Sequence, residues 1–454
     1  MPHTPSDPRA AVSPTDASCT TDSRTAETRA AASRTAGPRH EKGRTGVRAA
    51  LFLVLIGMSA ALHIWKVPPA LPQLQTEFQL TLVESGFLLS AVQLGGLVLG
   101  LPIALVAERV GLRRCILAGL AVLATASMLG AWLDSSLLVL LLRAAEGCGV
   151  LMVVMPIPAL IRRLVPPQSL SRIMGLWGSY MPLGTVVILL TGSWVLSLGS
   201  WQLLWSLLAA LTLCGLLLTL RLVPPDPITT GTRRDSAAQL VRTTLGSANV
   251  WLMALIFGLY ASQWMAVIGF LPTIYAAQGI SGTTAGLLTA IVAGANAIGN
   301  LSAGRLLHHG IAAWQLLVTG LATMILCAYA AFGAGLPAPG QFAAVWVFSM
   351  VGGLVPTTLF VLGLTLAPTP QTASTTIGWM QQCSSLGQFI GPPVVAWVVN
   401  RAGGDWQWTW TATAAFAAAG IVLSALIGLR MRAGAAASWK ARPPRTDGSP
   451  PDLR

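Results

Sequence analysis

The sequence predicts an all-α polytopic membrane protein, with twelve transmembrane helices arranged in two pseudo-symmetric six-helix bundles. The first reason is composition: 54% of the residues are hydrophobic, 9% are charged and the mean hydropathy is +0.68, which is outside the usual range of soluble domains. The second is that twelve apolar segments occur, and most approach the ~20 residues that a helix needs to cross a bilayer. The third is that one long polar stretch divides these segments six and six.

Short polar turns separate the segments everywhere except at the midpoint. The segments lie at about 49–70, 87–107, 115–133, 137–160, 173–198, 201–220, 250–275, 285–303, 312–333, 341–366, 372–399 and 407–430. Both ends of the chain are polar and lack apolar periodicity, so we expect disordered cytoplasmic tails there. The predicted units are a tail at 1–48, a bundle at 49–220, a cytoplasmic loop at 221–249, a bundle at 250–430 and a tail at 431–454.

Similarity between the two halves indicates a duplication. Short patterns recur at a nearly constant offset along the chain. The recurring pairs are Leu71-Pro72 with Leu271-Pro272, Gly175 with Gly378, and Trp201-Gln202 with Trp406-Gln407. Because the offset is shared, the two bundles are expected to have related folds.

The formal charge of +13 is concentrated in particular parts of the chain. Apart from Lys66, Arg143 and Arg401, the lysines and arginines lie in the two tails and in the loops at 109–114, 161–172, 221–242 and 302–311. The positive-inside rule assigns these segments to the cytoplasm. We therefore expect a multi-pass protein of the cytoplasmic (inner) membrane with both termini cytoplasmic, and no nucleic-acid partner.

Three ionisable residues fall inside apolar segments, namely Lys66, Arg143 and Glu146. A charge at that depth costs at least about 2.5 to 3.5 kcal/mol, so each should face a partner or water. Arg143 and Glu146 are spaced i, i+3 and share a helix face. If they, Lys66 and His63 face one cavity, its formal charge is +1, and it favours an anion or an electron-rich polar solute.

In that case Lys66 and Arg143 bind the solute and Glu146 carries a proton. The alternatives are a structural ion pair between Arg143 and Glu146, a Lys66 side chain that extends to the outer interface, and a His63 that is only a packed helix residue.

The seventh and eleventh segments supply uncharged candidates for solute binding. These are Tyr260, Gln263, Trp264, Gln381 and Gln382. Amides and aromatic rings recognise solutes by hydrogen bonding and stacking without a buried charge. The alternative for the aromatic residues is helix packing or an interfacial belt.

The loop after the second segment contains an acid beside several guanidinium groups. Its residues are Glu108, Arg109, Gly111, Arg113 and Arg114. Such a cluster at a helix end can form a charge lock between the bundles, and Gly111 permits a tight turn. The alternative is that the basic residues only set the topology.

These motifs resemble those of a known family. Arg143, Glu146, Gly147 and Gly149 resemble the fourth-helix motif of the major facilitator superfamily, with Glu146 in place of the usual Gln, and residues 104–114 resemble its loop 2–3 motif. Residues 155–177 and 258–275 resemble the cyanate and nitroimidazole permease branch. The resemblance implies a transporter whose two bundles rock around a central site. The Asn-x-Arg-Pro pattern of that branch is missing from the first segment, so its substrate is not carried over.

The predicted function is secondary active transport of a small polar or anionic organic solute by alternating access, coupled to protons, by a monomer in the lipid bilayer. The alternative is a multidrug or metabolite efflux proton antiporter, although the fifth segment does not match the signature of that group. A membrane enzyme is not expected, because no nucleophile, metal or nucleotide motif occurs, and we expect no metal and no cofactor. A receptor would need a sensing domain, for which the central loop is too short.

Overall fold

The computed structural model describes residues 46–133, 135–226, 237–280 and 282–440. Every regular element in these ranges is a helix. The predicted fold class is confirmed: the described part forms twelve long helices in two bundles of six. Residues 1–45 and 441–454, which belong to the predicted tails, lie outside the described ranges.

The first bundle contains α1 to α6. Their bounds are Gly46–Phe78 for α1, Leu82–Ser90 and Gln93–Val110 for the two parts of α2, Leu112–Ala131 for α3, Ser136–Val154 with Ile157–Leu164 for α4, Tyr180–Leu198 for α5 and Trp201–Leu222 for α6. A separate helix, Pro167–Gly178, precedes α5.

The second bundle contains α7 to α12. Their bounds are Ala248–Ala277 for α7, Gly282–His308 for α8, Ala313–Ala328 with the π-helical turn Tyr329–Gly333 for α9, Ala338–Gly352 with Leu354–Thr365 for α10, Ala373–Arg401 for α11 and Thr409–Lys440 for α12.

Ten of the described helices are long and apolar enough to cross a membrane, and the bent α2 makes eleven if its two parts form one span. The helix that remains is α11, which is 29 residues long. It carries Gln381, Gln382 and Gln388 among several hydroxyl residues. These polar side chains lower its hydropathy, while its length is still sufficient for a span.

Several helices extend beyond the apolar segments. The first helix continues to Phe78 because Pro68 and Pro69 stand in the first turn after a bend at Lys66, where proline is tolerated. The expectation that residues 431–440 are disordered is wrong, because the alanine-rich sequence there continues α12 to Lys440. The central loop contains a short helix, Ala237–Leu245.

Consecutive helices alternate in direction, so the molecule has two ends. We call the end where α1 begins and α6 ends the tail face, and the opposite end the far face. The bundles contact each other through α2 with α11, α5 with α8 and α1 with α7. Small residues allow close approach, since a Cβ on Gly86 would lie 2.8 Å from the Cα of Pro393. Gln93 Nε2 also donates to Gln388 Oε1 at 3.0 Å across the α2–α11 contact.

Candidate functional site

The ionisable residues of the first bundle meet in one buried cluster. Glu146 Oε1 lies 2.5 Å from Lys66 Nζ, and Glu146 Oε2 lies 2.5 Å from Arg143 Nη1. The exposed fractions of the three side chains are 0–1%. Together with His63, which is also fully buried, they form what we call the charge cluster. Its formal charge is +1, as the sequence predicts, but it is enclosed within the first bundle rather than facing a cavity in this conformation.

Lys66 is held by three groups. Besides Glu146, its ammonium donates to Ser127 Oγ at 2.9 Å and lies 4.3 Å from the centroid of the Trp205 ring. Ser127 in turn donates to the carbonyl oxygen of Trp205 at 3.1 Å. The side chain therefore points into α3, α4 and α6 and does not extend to the membrane interface.

Arg143 hydrogen-bonds to the backbone of α1 at its bend. Its guanidinium donates to the carbonyl oxygens of His63 at 2.7 Å and of Ile64 at 3.2 Å. Pro68 has no N–H, so it cannot supply the hydrogen bond that an α-helix would give to the carbonyl of Ile64. A carbonyl left unpaired inside a membrane protein is costly. Arg143 replaces the missing donor, and the bend of α1 depends on it.

The hydrogen bonds of His63 define its neutral tautomer. Its Nε2 lies 2.7 Å from Thr212 Oγ1, and the Thr212 hydroxyl donates to the carbonyl of Leu208 at 2.8 Å. Thr212 must therefore accept from His63, which puts the proton on Nε2. Nδ1 then carries a lone pair and no proton, and it lies 3.7 Å from Glu146 Oε1. One added proton would convert this contact between two acceptors into an attractive one, which could close to hydrogen-bond length.

Glycines bring α4 close enough for this arrangement. A Cβ on Gly147 would overlap the carbonyl of Val92 on α2, and a Cβ on Gly149 would lie 2.9 Å from the carbonyl of Gly119 on α3. No larger residue fits at either position without moving a backbone. The glycines therefore position Glu146 next to Lys66.

A second polar group lies in the second bundle. Asn296 Nδ2 donates to the Tyr260 hydroxyl at 3.0 Å and to the Ser349 carbonyl at 2.9 Å. Trp264 Nε1 donates to Ser349 Oγ at 3.2 Å. We call these four residues the α7 network. Trp264 also meets the ring edge of Trp65 at a centroid distance of 5.2 Å, which joins the network to α1.

The three predicted glutamines have different environments. Gln263 is fully buried, and its Oε1 has no hydrogen-bond partner within the described structure. Gln382 donates to the Leu97 carbonyl on α2, and so ties the two bundles together. Gln381 is half-buried on α11. The structure thus separates the predicted binding residues into the charge cluster, α7 and α11.

Sequence reasoning missed Asn296 and Ser349. Each is a small polar residue in an otherwise apolar helix, and this was the available signal. Asn296 is 8% exposed and Ser349 is fully buried. Buried amides are expected to be hydrogen-bonded, so an asparagine in the middle of α8 could have been paired with the Tyr260 hydroxyl.

The start of α3, at residues 111–114, makes contacts that the sequence did not predict. The backbone N–H groups of Arg113 and Arg114 donate to the Asp226 carboxylate at 3.0 and 3.2 Å. The Arg113 guanidinium donates to the Leu220 carbonyl at 2.7 Å. Gly111 has a φ of +108°, which glycine alone adopts easily. These contacts are within the first bundle, whereas the predicted lock joins both bundles. The side chains of Glu108 and Arg109 lie outside the described part.

The described residues form twelve long helices in two bundles, each with buried polar groups, which is an architecture typical of membrane transporters. The comparison with known sequences identifies the family. A sequence profile of the Major Facilitator Superfamily matches residues 50–386 and 253–450, and the chain belongs to that family. It is a membrane transporter and not an enzyme.

Two relatives from Escherichia coli (strain K12) are similar in sequence. The uncharacterized transporter YebQ is 29% identical over 178 residues, which are 39% of this chain and 39% of that protein. The match thus spans well under half of the length of YebQ. The 2-nitroimidazole transporter is 25% identical over 370 residues, which are 78% of this chain and 88% of that protein.

Solved structures share the fold. A bacterial homolog of the human lysosomal transporter Spinster, in an inward-facing and unoccupied conformation, superposes with a TM-score of 0.71 at 17% identity, covering 84% of this chain and 97% of that one. A D-xylose-proton symporter superposes with a TM-score of 0.65 at 16% identity, covering 83% and 96%.

Proposed function

We propose that this protein transports a small polar organic solute across the cytoplasmic membrane, with protons as the coupling ion and Glu146 as the proton carrier. The tail face, which carries most of the arginines, lies in the cytoplasm. The protein works as a monomer, by alternating access of a site between the bundles.

The observation that carries the proposal is the contact between Glu146 and the lone pair of His63 Nδ1. Two acceptors lie 3.7 Å apart at 0–1% exposure, so a single added proton turns an unfavourable contact into a favourable one, and a small approach of the two groups would complete a hydrogen bond. Lys66 and Arg143 are the other charged groups that face Glu146. A proton on Glu146 weakens both of these ion pairs and frees Arg143 to move on the bend of α1.

Lys66 and Arg143 serve mainly as the ion-pair partners of Glu146. The solute is bound by uncharged residues, namely Tyr260, Gln263, Trp264, Gln381 and Gln382. An anionic solute would be attracted by the +1 charge of the cluster when the bundle opens. The similarity to the 2-nitroimidazole transporter makes 2-nitroimidazole the first compound to test. Cyanate and small carboxylates follow it.

The test uses purified protein in liposomes with an imposed pH gradient. We expect Glu146→Gln to abolish accumulation of labelled solute driven by the gradient, and to spare exchange of labelled for unlabelled solute. Glu77→Gln, at an exposed carboxylate near the end of α1, is the control and should retain both activities, because the amide oxygen can still accept from Trp201 Nε1.

The outcomes separate the alternatives. Loss of both activities in a folded Glu146→Gln protein would show that the charge cluster is only structural. Full retention of gradient-driven uptake would remove Glu146 from the mechanism. Solute leaving the vesicle interior while protons enter from outside would indicate the efflux antiporter instead.

A further inference from the structure

We propose that Tyr260 and Gln263 form a donor–acceptor pair that recognises a neutral, planar solute with a hydrogen-bond acceptor next to a donor, such as an azole or an aromatic carboxamide. This inference rests on the proposed transport function. It specifies the substrate class that the second bundle selects.

The first step is the direction of the Tyr260 proton. Asn296 Nδ2 donates to the Tyr260 hydroxyl oxygen, so the hydroxyl proton must point elsewhere. The orientation of the Asn296 amide is fixed, because its Nδ2 also donates to the Ser349 carbonyl and its Oδ1 accepts from Asn300 at 2.8 Å. Asn300 is held in turn by Thr357, whose hydroxyl donates to Asn300 Oδ1 at 2.8 Å. The hydroxyl of Tyr260 has no acceptor within the described part of the chain, and it is available as a donor.

The second step is the free acceptor beside it. Gln263 follows Tyr260 by three residues, which puts both side chains on one face of α7. Its side chain is fully buried and its Oε1 has no donor among the described residues. Its Nε2 is directed at the Leu259 carbonyl at 3.4 Å. A buried carbonyl oxygen without a donor is costly, and a solute N–H would remove that cost.

The third step is the shape and charge of the surroundings. Phe257 is stacked with Tyr260 at a centroid distance of 6.4 Å and an interplanar angle of 22°, and Trp264 stands edge-on to Trp65. Flat rings such as these favour a planar solute. The sequence of α7 contains no lysine, arginine, aspartate or glutamate. The buried cations of the first bundle, Lys66 and Arg143, are already paired with Glu146.

Together these features match a neutral ring that accepts from Tyr260 and donates to Gln263. A carboxylate cannot donate to Gln263 Oε1 and would enter a site without a countercharge. An N-methylated analogue has the same ring and the same acceptor but lacks the donor. Discrimination between a donor-bearing compound and its methylated analogue is therefore the property to measure.

The experiment is equilibrium binding to the purified full-length protein. The probes are benzamide with N,N-dimethylbenzamide, 2-nitroimidazole with 1-methyl-2-nitroimidazole, and benzoate as the anion. We expect the donor-bearing member of at least one pair to bind about tenfold more tightly than its methylated analogue, the size of one hydrogen bond. Benzoate should bind more weakly than benzamide.

Two variants test the residues. Gln263→Leu should remove the discrimination within the pair, and Tyr260→Phe should weaken both members about tenfold while leaving their ratio unchanged. Tyr275→Phe, which deletes the same atom elsewhere on α7, is the matched control. Because a ratio of affinities in one preparation does not depend on the folded fraction, partial misfolding of Gln263→Leu cannot imitate its expected result.

The inference is overturned if neither donor-bearing probe binds, if benzoate binds as tightly as benzamide, or if discrimination survives in Gln263→Leu. These failures are separable from failure of the transport proposal. Preferred binding and uptake of benzoate would remove the neutral substrate class and leave proton-coupled transport standing. Binding of benzamide without proton-driven uptake would remove proton-coupled transport and leave the neutral substrate class standing.

Discussion

Removing the negative charge from the charge cluster should destabilise the first bundle strongly. In Glu146→Gln, Lys66 and Arg143 would remain buried with exposed fractions of 0% and 1%, and the formal charge of the cluster would rise from +1 to +2. Removing one partner of a buried ion pair costs about 3 to 5 kcal/mol, because the remaining charge is left without compensation. The two contacts of 2.5 Å use both oxygens of the carboxylate, and the amide of glutamine has an oxygen for only one of them.

The measurement is thermal unfolding in detergent, followed by circular dichroism. For a unit of about 150 to 250 residues, 1 kcal/mol shifts the melting temperature by about 2 to 4 °C, so the expected decrease is roughly 6 to 20 °C. The control is Glu77→Gln, in which an exposed carboxylate becomes an amide whose oxygen can still accept from Trp201 Nε1, and it should melt within a few degrees of the wild-type protein.

A double variant distinguishes loss of charge from loss of shape. Lys66→Met combined with Glu146→Gln returns the cluster to +1, and it should recover at least half of the lost stability. If Glu146→Gln melts at the wild-type temperature, the cluster does not hold the bundle together. If the double variant loses more stability than Lys66→Met and Glu146→Gln lose together, unpaired charge is not the cause of the destabilisation.

Three further predictions concern packing, capping and topology. Gly147→Ala should destabilise the first bundle by about 1 to 3 kcal/mol through overpacking, because the new Cβ would overlap the carbonyl of Val92. Asp226→Ala should cost about 0.5 to 2 kcal/mol, because α3 loses the carboxylate that caps its first turn. In intact cells, an impermeant thiol reagent should label Ser200→Cys at the far face from outside and should fail to label Ser236→Cys, which lies outside the described residues, in the predicted cytoplasmic loop.

Each of these has a result that would contradict it. Wild-type melting of Gly147→Ala would mean that α2 and α4 are further apart than described. An unchanged Asp226→Ala would show that water caps α3 equally well, with Asp226→Asn as the conservative comparison. External labelling of Ser236→Cys would invert the topology.

The sequence was sufficient for the fold because membrane-spanning helices leave a strong one-dimensional signal. Each span must be long and apolar whatever its neighbours are, so the number of helices could be predicted from hydropathy. Helix ends were less predictable. The extension of α12 to Lys440 depends on helix propensity in a polar segment, and the continuation of α1 past Pro68 depends on which turn of the helix the proline occupies.

The candidate site was predictable only where residues are close in sequence. The contact of Arg143 with Glu146 follows from their i, i+3 spacing. The contact of Lys66 with Glu146 joins residues 80 positions apart, and the sequence indicated only that both lie inside apolar segments and could face one cavity. Asn296 and Asp226 carry no motif, and their roles depend on how whole helices pack. No periodicity in the chain contains that information.

The hydrogen bonds from Arg143 to the bend of α1 link the shape of that helix to the protonation state of Glu146, a carboxylate on another helix. Pro68 makes the bend, but Arg143 from α4 supplies the hydrogen bond that the bend lacks. The bend of α1 is therefore stabilised by a side chain that is itself paired with Glu146. Trp65 lies within this stretch and touches Trp264 of the other bundle. If Glu146 takes up a proton, the change can therefore reach the interface between the bundles through the Arg143 side chain, the backbone carbonyls at the bend of α1 and the ring contact of Trp65 with Trp264.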